Sequence, residues 1–190
     1  MTEEDKVLIS IPYISTDKNI DKLEKLYRKR AGERVAILLT EDTNRKHFFK
    51  IQNEIFEAYK DQFDWFVYSA SDYFPGKNFI AHALLTAKCT GKKFIAFNDG
   101  KWDGDSATVG MIHKDLVPDL YDTNTLFHTG YKQHYGDTDL SVRGKLLVEY
   151  AYSPMALLVE VDYNKDLNAL RVNLNDKALF DKRRKLSFPK

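Results

Sequence analysis

The residues of this chain best suited to chemistry are carboxylates and amides in short polar stretches, most of them directly after an apolar run. Glu41 and Asp42 follow residues 35–40, Ser69 to Asp72 follow residues 65–68, and Asn98, Asp99 and Gly100 follow residues 94–97. A fourth stretch, Gly136-Asp-Thr-Asp-Leu-Ser141, lies further on. Asp72 could hold a hard divalent cation, since Mg²⁺ or Mn²⁺ takes one or two protein carboxylates together with phosphate oxygens and water. From spacing alone the plainer reading, a solvated aspartate that opens the next helix, is favoured. Asp137 could take a proton from an acceptor hydroxyl, with Asp139 or Thr138 capping the helix that follows. The plainer alternative is that both aspartates only cap. Asn98-Asp99-Gly100 is a turn signal before it is a site.

Other chemistries lack their residues. No glycine-rich dinucleotide loop follows the first apolar run, and there is no phosphate-loop, nucleophile-elbow, His-Glu-x-x-His or Cys-x-x-Cys pattern. His128 and His134 lie near Asp137, yet no serine or cysteine is placed as their nucleophile, which argues against triad chemistry. His113 reads as a strand-end histidine.

The elements that must position these residues follow from hydrophobic patterning. Residues 7–13, 35–40, 65–68 and 94–97 are short apolar runs of the kind found in buried parallel strands, the first of them ended by Pro12. Between them, residues 17–30, 46–60 and 78–89 carry apolar side chains at helical spacing. The order β-α-β-α-β-α-β predicts an α/β fold: a mostly parallel, Rossmann-like sheet with helices on both faces. Ligands of such sheets sit outside the carboxyl ends of the strands, where three of the polar stretches fall. Beyond residue 106 the pattern is less regular. A strand over 107–113, a short helix over 114–121, an aromatic loop over 126–136, a helix over 138–150 and a last strand over 156–161 are expected.

Composition agrees with a folded domain. Hydrophobic residues make up 43% and charged residues 30%, and 190 residues suit one domain. Net charge is +1, which by itself points to neither nucleic acid nor membrane. No apolar run approaches the ~20 residues of a membrane span. One cysteine, Cys89, and an acidic start suit a soluble protein of the reducing cytoplasm. The segment 177–190 is basic, with Asp181 its only acid, and reads as a solvated tail with an anionic partner as the alternative.

Taken in order, Val7 to Tyr13, Leu39-Thr-Glu-Asp-Thr43, Asn53 and Phe66 to Pro75 resemble the donor half of family-two-type glycosyltransferases. Gly110 to Lys114, Leu126-Phe127 and Tyr135 to Arg143 resemble their acceptor half, so the likeness spans about residues 7–162. It implies the A-type nucleotide-sugar fold and an inverting transfer from a nucleotide-sugar, a UDP-sugar foremost. Pro12 and Tyr13 would border the base, and Asp42 with Glu41 would bind base or ribose. Asn53, Ser71, Asn98 and Asp99 would complete the donor side. Asp72 would hold a Mg²⁺ or Mn²⁺ on the diphosphate, and Asp137 would be the general base. Three departures stand out: Ser69 and Ser71 replace acids of the metal motif, Gly136 replaces the first acid of an acidic pair, and Glu160 and Asp162 stand where a histidine is common. Short chains of this kind occur among phage-encoded transferases, which adds a modified DNA base to the sugar or lipid-linked acceptors. The rival readings are a nucleotidyltransferase, which lacks its glycine-rich basic loop here, and a nucleotide-sugar-binding module without turnover.

Overall fold

The computed structural model describes residues 5–15, 17, 19–161 and 173–190. Strands β1 (Val7–Tyr13), β2 (Val35–Glu41), β3 (Trp65–Tyr68), β4 (Tyr73–Pro75), β5 (Phe94–Asn98), β6 (Gly110–His113) and β7 (Tyr150–Glu160) form one sheet in the order β2-β1-β3-β6-β5-β7-β4. Helices α1 (Ile20–Arg30), α2 (Phe48–Tyr59), α3 (Phe79–Thr90), α4 (Val117–Leu120), α5 (Gly136–Leu146) and α6 (Leu174–Lys185) flank it. The pairs β1/β2, β1/β3 and β5/β7 are parallel, whereas β6 runs antiparallel to both β3 and β5, and β4 antiparallel to β7. Five of the seven strands therefore point one way, as the crossover order predicts.

Both sheet faces are covered because β1 alternates two apolar sets. Val7, Ile9 and Ile11 pack with Leu23 and Tyr27 of α1 and with Phe79, Ile80 and Ala83 of α3. Leu8 points the other way, into a cluster with Phe49, Ile55 and Phe56 of α2, Leu116, Leu120 and Phe127. Each such fully buried aliphatic or aromatic side chain contributes about 1.5–3 kcal/mol of hydrophobic stabilisation.

Several boundaries differ from expectation. Pro12 does not end β1: it pairs with Thr40 inside the β1/β2 ladder. Residues two apart send their backbone groups to the same side, and Ser10 faces β3 through its carbonyl, which accepts the Ser69 N–H. β3 stops at Tyr68, so the N–H that Pro12 lacks leaves no ladder partner bereft. The helix expected to reach Tyr150 ends at Leu146, and the last strand starts at Tyr150. The register between β5 and β7 slips after Phe97, where Ser153 gives way to Leu157, an irregularity that holds Pro154. This lets one strand pair with β5 and then with β4, a short strand in what reads as loop.

The cations of the basic segment 177–190 are exposed, apart from Arg183. Residues 174–185 form α6, which docks through buried Asp176 and Arg183 and pairs Lys177 and Arg184 with Asp181. No helix among the described residues is long and apolar enough to cross a membrane.

Candidate active-site cleft

The carboxyl ends of β1 and β2 bring the first group of residues together. Tyr13 and Glu41 are register partners, Pro12 is buried, and Glu41 is exposed. The Asp42 N–H donates to the Tyr13 carbonyl at 2.8 Å. Its carboxylate accepts the Lys46 N–H at 2.7 Å and the His47 N–H at 3.1 Å. Asp42 thus ties the turn into α2, a task that Asp performs because its short carboxylate reaches nearby backbone N–H groups.

The β3–β4 loop carries the next group. Ser69 is fully buried, 2.7 Å from the Tyr27 hydroxyl, so an acid there would be a buried charge against α1. Ser71 donates to Asp17 Oδ2 at 2.6 Å, linking this loop to the one after β1. The Asp72 carbonyl accepts the Val161 N–H at 2.8 Å, and Tyr73 pairs with Glu160 across β4/β7. These backbone ties set Asp72 beside the end of β7. Asp162 lies outside the described residues.

Asp99 is buried and organises the loop after β5. Its Oδ1 accepts the N–H groups of Lys101 and Trp102 at 2.8 and 2.9 Å, and its Oδ2 accepts the Thr108 hydroxyl. Asn98 accepts the Gly100 N–H and donates to the Pro154 carbonyl. Both support the loop that presents Trp102, which is 52% exposed, and Lys101, whose ammonium lies 2.7 Å from Glu160. Asn53 faces elsewhere, its amide clamped on the Phe127 backbone N–H and carbonyl at 2.8 and 2.9 Å.

Asp137 stands in the first turn of α5, where the helix dipole favours a carboxylate. Ser141 fixes this turn by donating to the Asp137 carbonyl at 2.7 Å while accepting the Ala107 N–H. The helix has no side-chain cap, because Tyr135, in the left-handed region at φ 64°, occupies that position. Asp139 is not a cap either: fully buried, it accepts hydroxyl hydrogen bonds from Tyr121 and Tyr131 and pairs with Arg183.

Asp72 and Asp137 line one cleft of about 410 Å³, together with Glu160, Tyr73, His134 and Trp102. Burial pushes the Asp137 carboxyl above its ordinary range, and the charge of Asp99 adds to this. The Thr138 N–H, accepted by Asp137 at 2.9 Å, and nearby His134 oppose it. A carboxylate so raised is a stronger base than one in water. Burial likewise raises the Tyr73 phenol, keeping it neutral. Among the described residues no group of three His, Cys, Asp or Glu side chains gathers into a metal site. Sequence reasoning missed Trp102, Tyr73 and His134 as cleft residues. Two left a signal, His134 by its place near Asp137 and Trp102 as a solitary aromatic inside a polar loop.

No protein-family model matches the chain, and no curated protein matches it. Solved structures do. TarS 1–349 of S. aureus superposes with a TM-score of 0.61 at 13% identity, over 82% of this chain and 60% of that one. The mannosyltransferase PcManGT of Pyrobaculum calidifontis, solved with GDP-Man and Mn²⁺, gives 0.68 at 12% identity over 88% and 60%. Glucosyl-3-phosphoglycerate synthase of Mycobacterium tuberculosis, solved with Mn²⁺, UDP and glucosyl-3-phosphoglycerate, gives 0.62 at 8% identity over 98% and 82%. The chain thus spans 60% of the length of the first two. These likenesses define the class: the chain has the A-type glycosyltransferase fold.

Proposed function

We propose that this chain is a glycosyltransferase that moves a sugar from a nucleotide-sugar, a UDP-sugar foremost, to an acceptor hydroxyl with inversion. The observation that carries this reading is the shared cleft of Asp72 and Asp137. Pro12, Tyr13, Glu41 and Asp42 form the base and ribose end, with Ser71, Asn98 and Asp99 shaping the loops between base and sugar. Asp137 takes the proton of the acceptor hydroxyl. The freed oxygen bonds to the anomeric carbon from the face opposite the leaving group, and the bond from that carbon to the diphosphate oxygen breaks. The nucleoside diphosphate departs with the electron pair, and the anomeric centre is inverted.

A divalent cation fits the donor set. Hard cations on diphosphates use one or two protein carboxylates, and Asp72 with Glu160 in the same cleft is such a pair. When bound, Mg²⁺ or Mn²⁺ supplies charge neutralisation on the departing diphosphate. We assign the whole chain to one such unit working in the cytoplasm, where the exposed Cys89 stays reduced.

Gly136, in place of an acid, favours the second reading, a donor-binding module without turnover. Thermal shift with UDP, UDP-sugars and GDP-mannose, with and without Mn²⁺, tests donor binding, since ligands of the native state raise its melting temperature. Slow donor hydrolysis separates enzyme from module. Failure of every nucleotide to shift the protein would refute both.

A further inference from the structure

A cavity larger than the reaction cleft lies beside it. A groove of about 900 Å³ runs between α2 and the loop 125–132, lined by Arg45, Lys46, His47, Lys50 and Lys132 among others. Two acids, Glu54 and Glu57, also line it, but each is already neutralised: Glu54 by Lys46 at 2.8 Å and Glu57 by Lys60 at 2.8 Å. Arg45, Lys50 and Lys132 form no ion pair among the described residues, so the groove holds a surplus of positive charge. Its walls are built. Asn53 clamps the Phe127 backbone, and the Asp176 carboxylate holds the Lys132 N–H at 3.1 Å.

The groove abuts the reaction cleft on two sides. His47 and Lys50 line the groove while Phe48 and Phe49 line the cleft, and Lys132 lines the groove while Gln133 and His134 line the cleft. A chain lying in the groove leads toward Asp137.

We infer that this groove is the acceptor side of the site and takes a phosphodiester-linked chain, a single nucleic-acid strand, whose phosphates pair with Arg45, Lys50 and Lys132. The word acceptor rests on the transferase reading; the binding of phosphates does not. Of the α6 cations, Arg183 is buried and Lys177 and Arg184 share Asp181, while the exposed Lys182 and Lys185 do not line this groove.

The probe is a short labelled single-stranded oligodeoxynucleotide, followed by anisotropy across a salt series. Its association constant should fall with salt with a slope of about −0.7 for each phosphate neutralised. Lys50→Glu and Lys132→Glu should each weaken binding and flatten that slope by about 0.7. Lys182→Glu with Lys185→Glu, on exposed α6 positions, should leave it unchanged, and inorganic polyphosphate should displace the probe. A flat salt dependence overturns the inference. So does an equal loss from the α6 pair, or an uncharged oligosaccharide that binds with the same dependence on Lys50 and Lys132. UDP thermal shifts on the same proteins keep the two readings apart. If the oligonucleotide binds and no nucleotide does, the groove stands and the transferase reading falls. If UDP shifts every variant while the oligonucleotide binds none, the reverse holds.

Discussion

Arg183, in the last turn of α6, donates its Nε–H to Oδ2 of Asp139 at 2.6 Å, an ion pair with both side chains buried and 44 positions apart in the chain. Tyr121 and Tyr131 donate to the same carboxylate, each at 2.9 Å. This carboxylate lies two residues from Asp137, so α6 is fastened to the helix that carries Asp137. Breaking one side of a buried pair strands a charge in a low-dielectric interior. Arg183→Met should therefore cost about 3–5 kcal/mol in urea unfolding. Arg183→Met combined with Asp139→Leu should cost much less than the sum of the single variants, and simple additivity would show that the two residues are not coupled.

Asp176 does the equivalent for the loop ahead of Asp137. Its carboxylate accepts the backbone N–H groups of Lys132, Gln133 and His134 at 3.1, 2.8 and 2.9 Å. Asp176→Ala leaves these donors without that partner, at about 1–3 kcal/mol for each one that stays buried and unpaired. Hydrogen exchange should show these three amides losing protection ahead of the sheet. Unchanged exchange would mean that the loop holds itself.

Gly136 has a steric reason. A Cβ there would sit 2.7 Å from the ring of Phe49, a buried side chain that meets Phe48 edge-on and Phe127 at a tilt. Gly136→Ala should destabilise by about 1–3 kcal/mol through overpacking, and Gly136→Glu by more. Adding Phe49→Leu should recover part of either loss. Full stability of Gly136→Glu alone would show that the ring moves freely aside.

The raised pKa of Asp137 fixes two signs. Its protonated form is favoured in the folded state, so its stabilising contribution is complete below the ordinary carboxylate range and is lost as pH rises through the raised value. At neutral pH the buried charge is a cost. Asp137→Asn should thus melt higher than the parent at neutral pH, with the difference closing in acid. As a base, Asp137 must be ionised, so the acid limb of donor turnover should lie above the usual carboxylate range. The Asn variant should lose about 10²–10⁴-fold in rate while still binding donor. A stable variant with full turnover would remove Asp137 from the base role.

How much of this was legible in the sequence varies by residue. Val7, Ile9 and Ile11 against Leu8 declare a strand buried on both faces, because only that environment tolerates uninterrupted apolar side chains. The polar stretches after β2, β3 and β5 were equally plain, as turn residues at the ends of buried strands. The antiparallel β6 and β4 were not. Their few residues carry no direction of their own, and only the ladders with β3, β5 and β7 orient them.

Sequence by itself therefore determined the crossover order and the rim on which the candidate site must lie, since hydrophobic periodicity and turn chemistry are local. Tertiary structure alone decided which polar residues face the cleft and which are consumed holding it. Asp72 and Asp137 line the cleft, whereas Asp42, Asn53, Asp99 and Asp139 are committed to distant or neighbouring partners. The reason is that a carboxylate's role depends on the donors around it. Those donors, Arg183 for Asp139 above all, come from parts of the chain that only folding brings within hydrogen-bond reach.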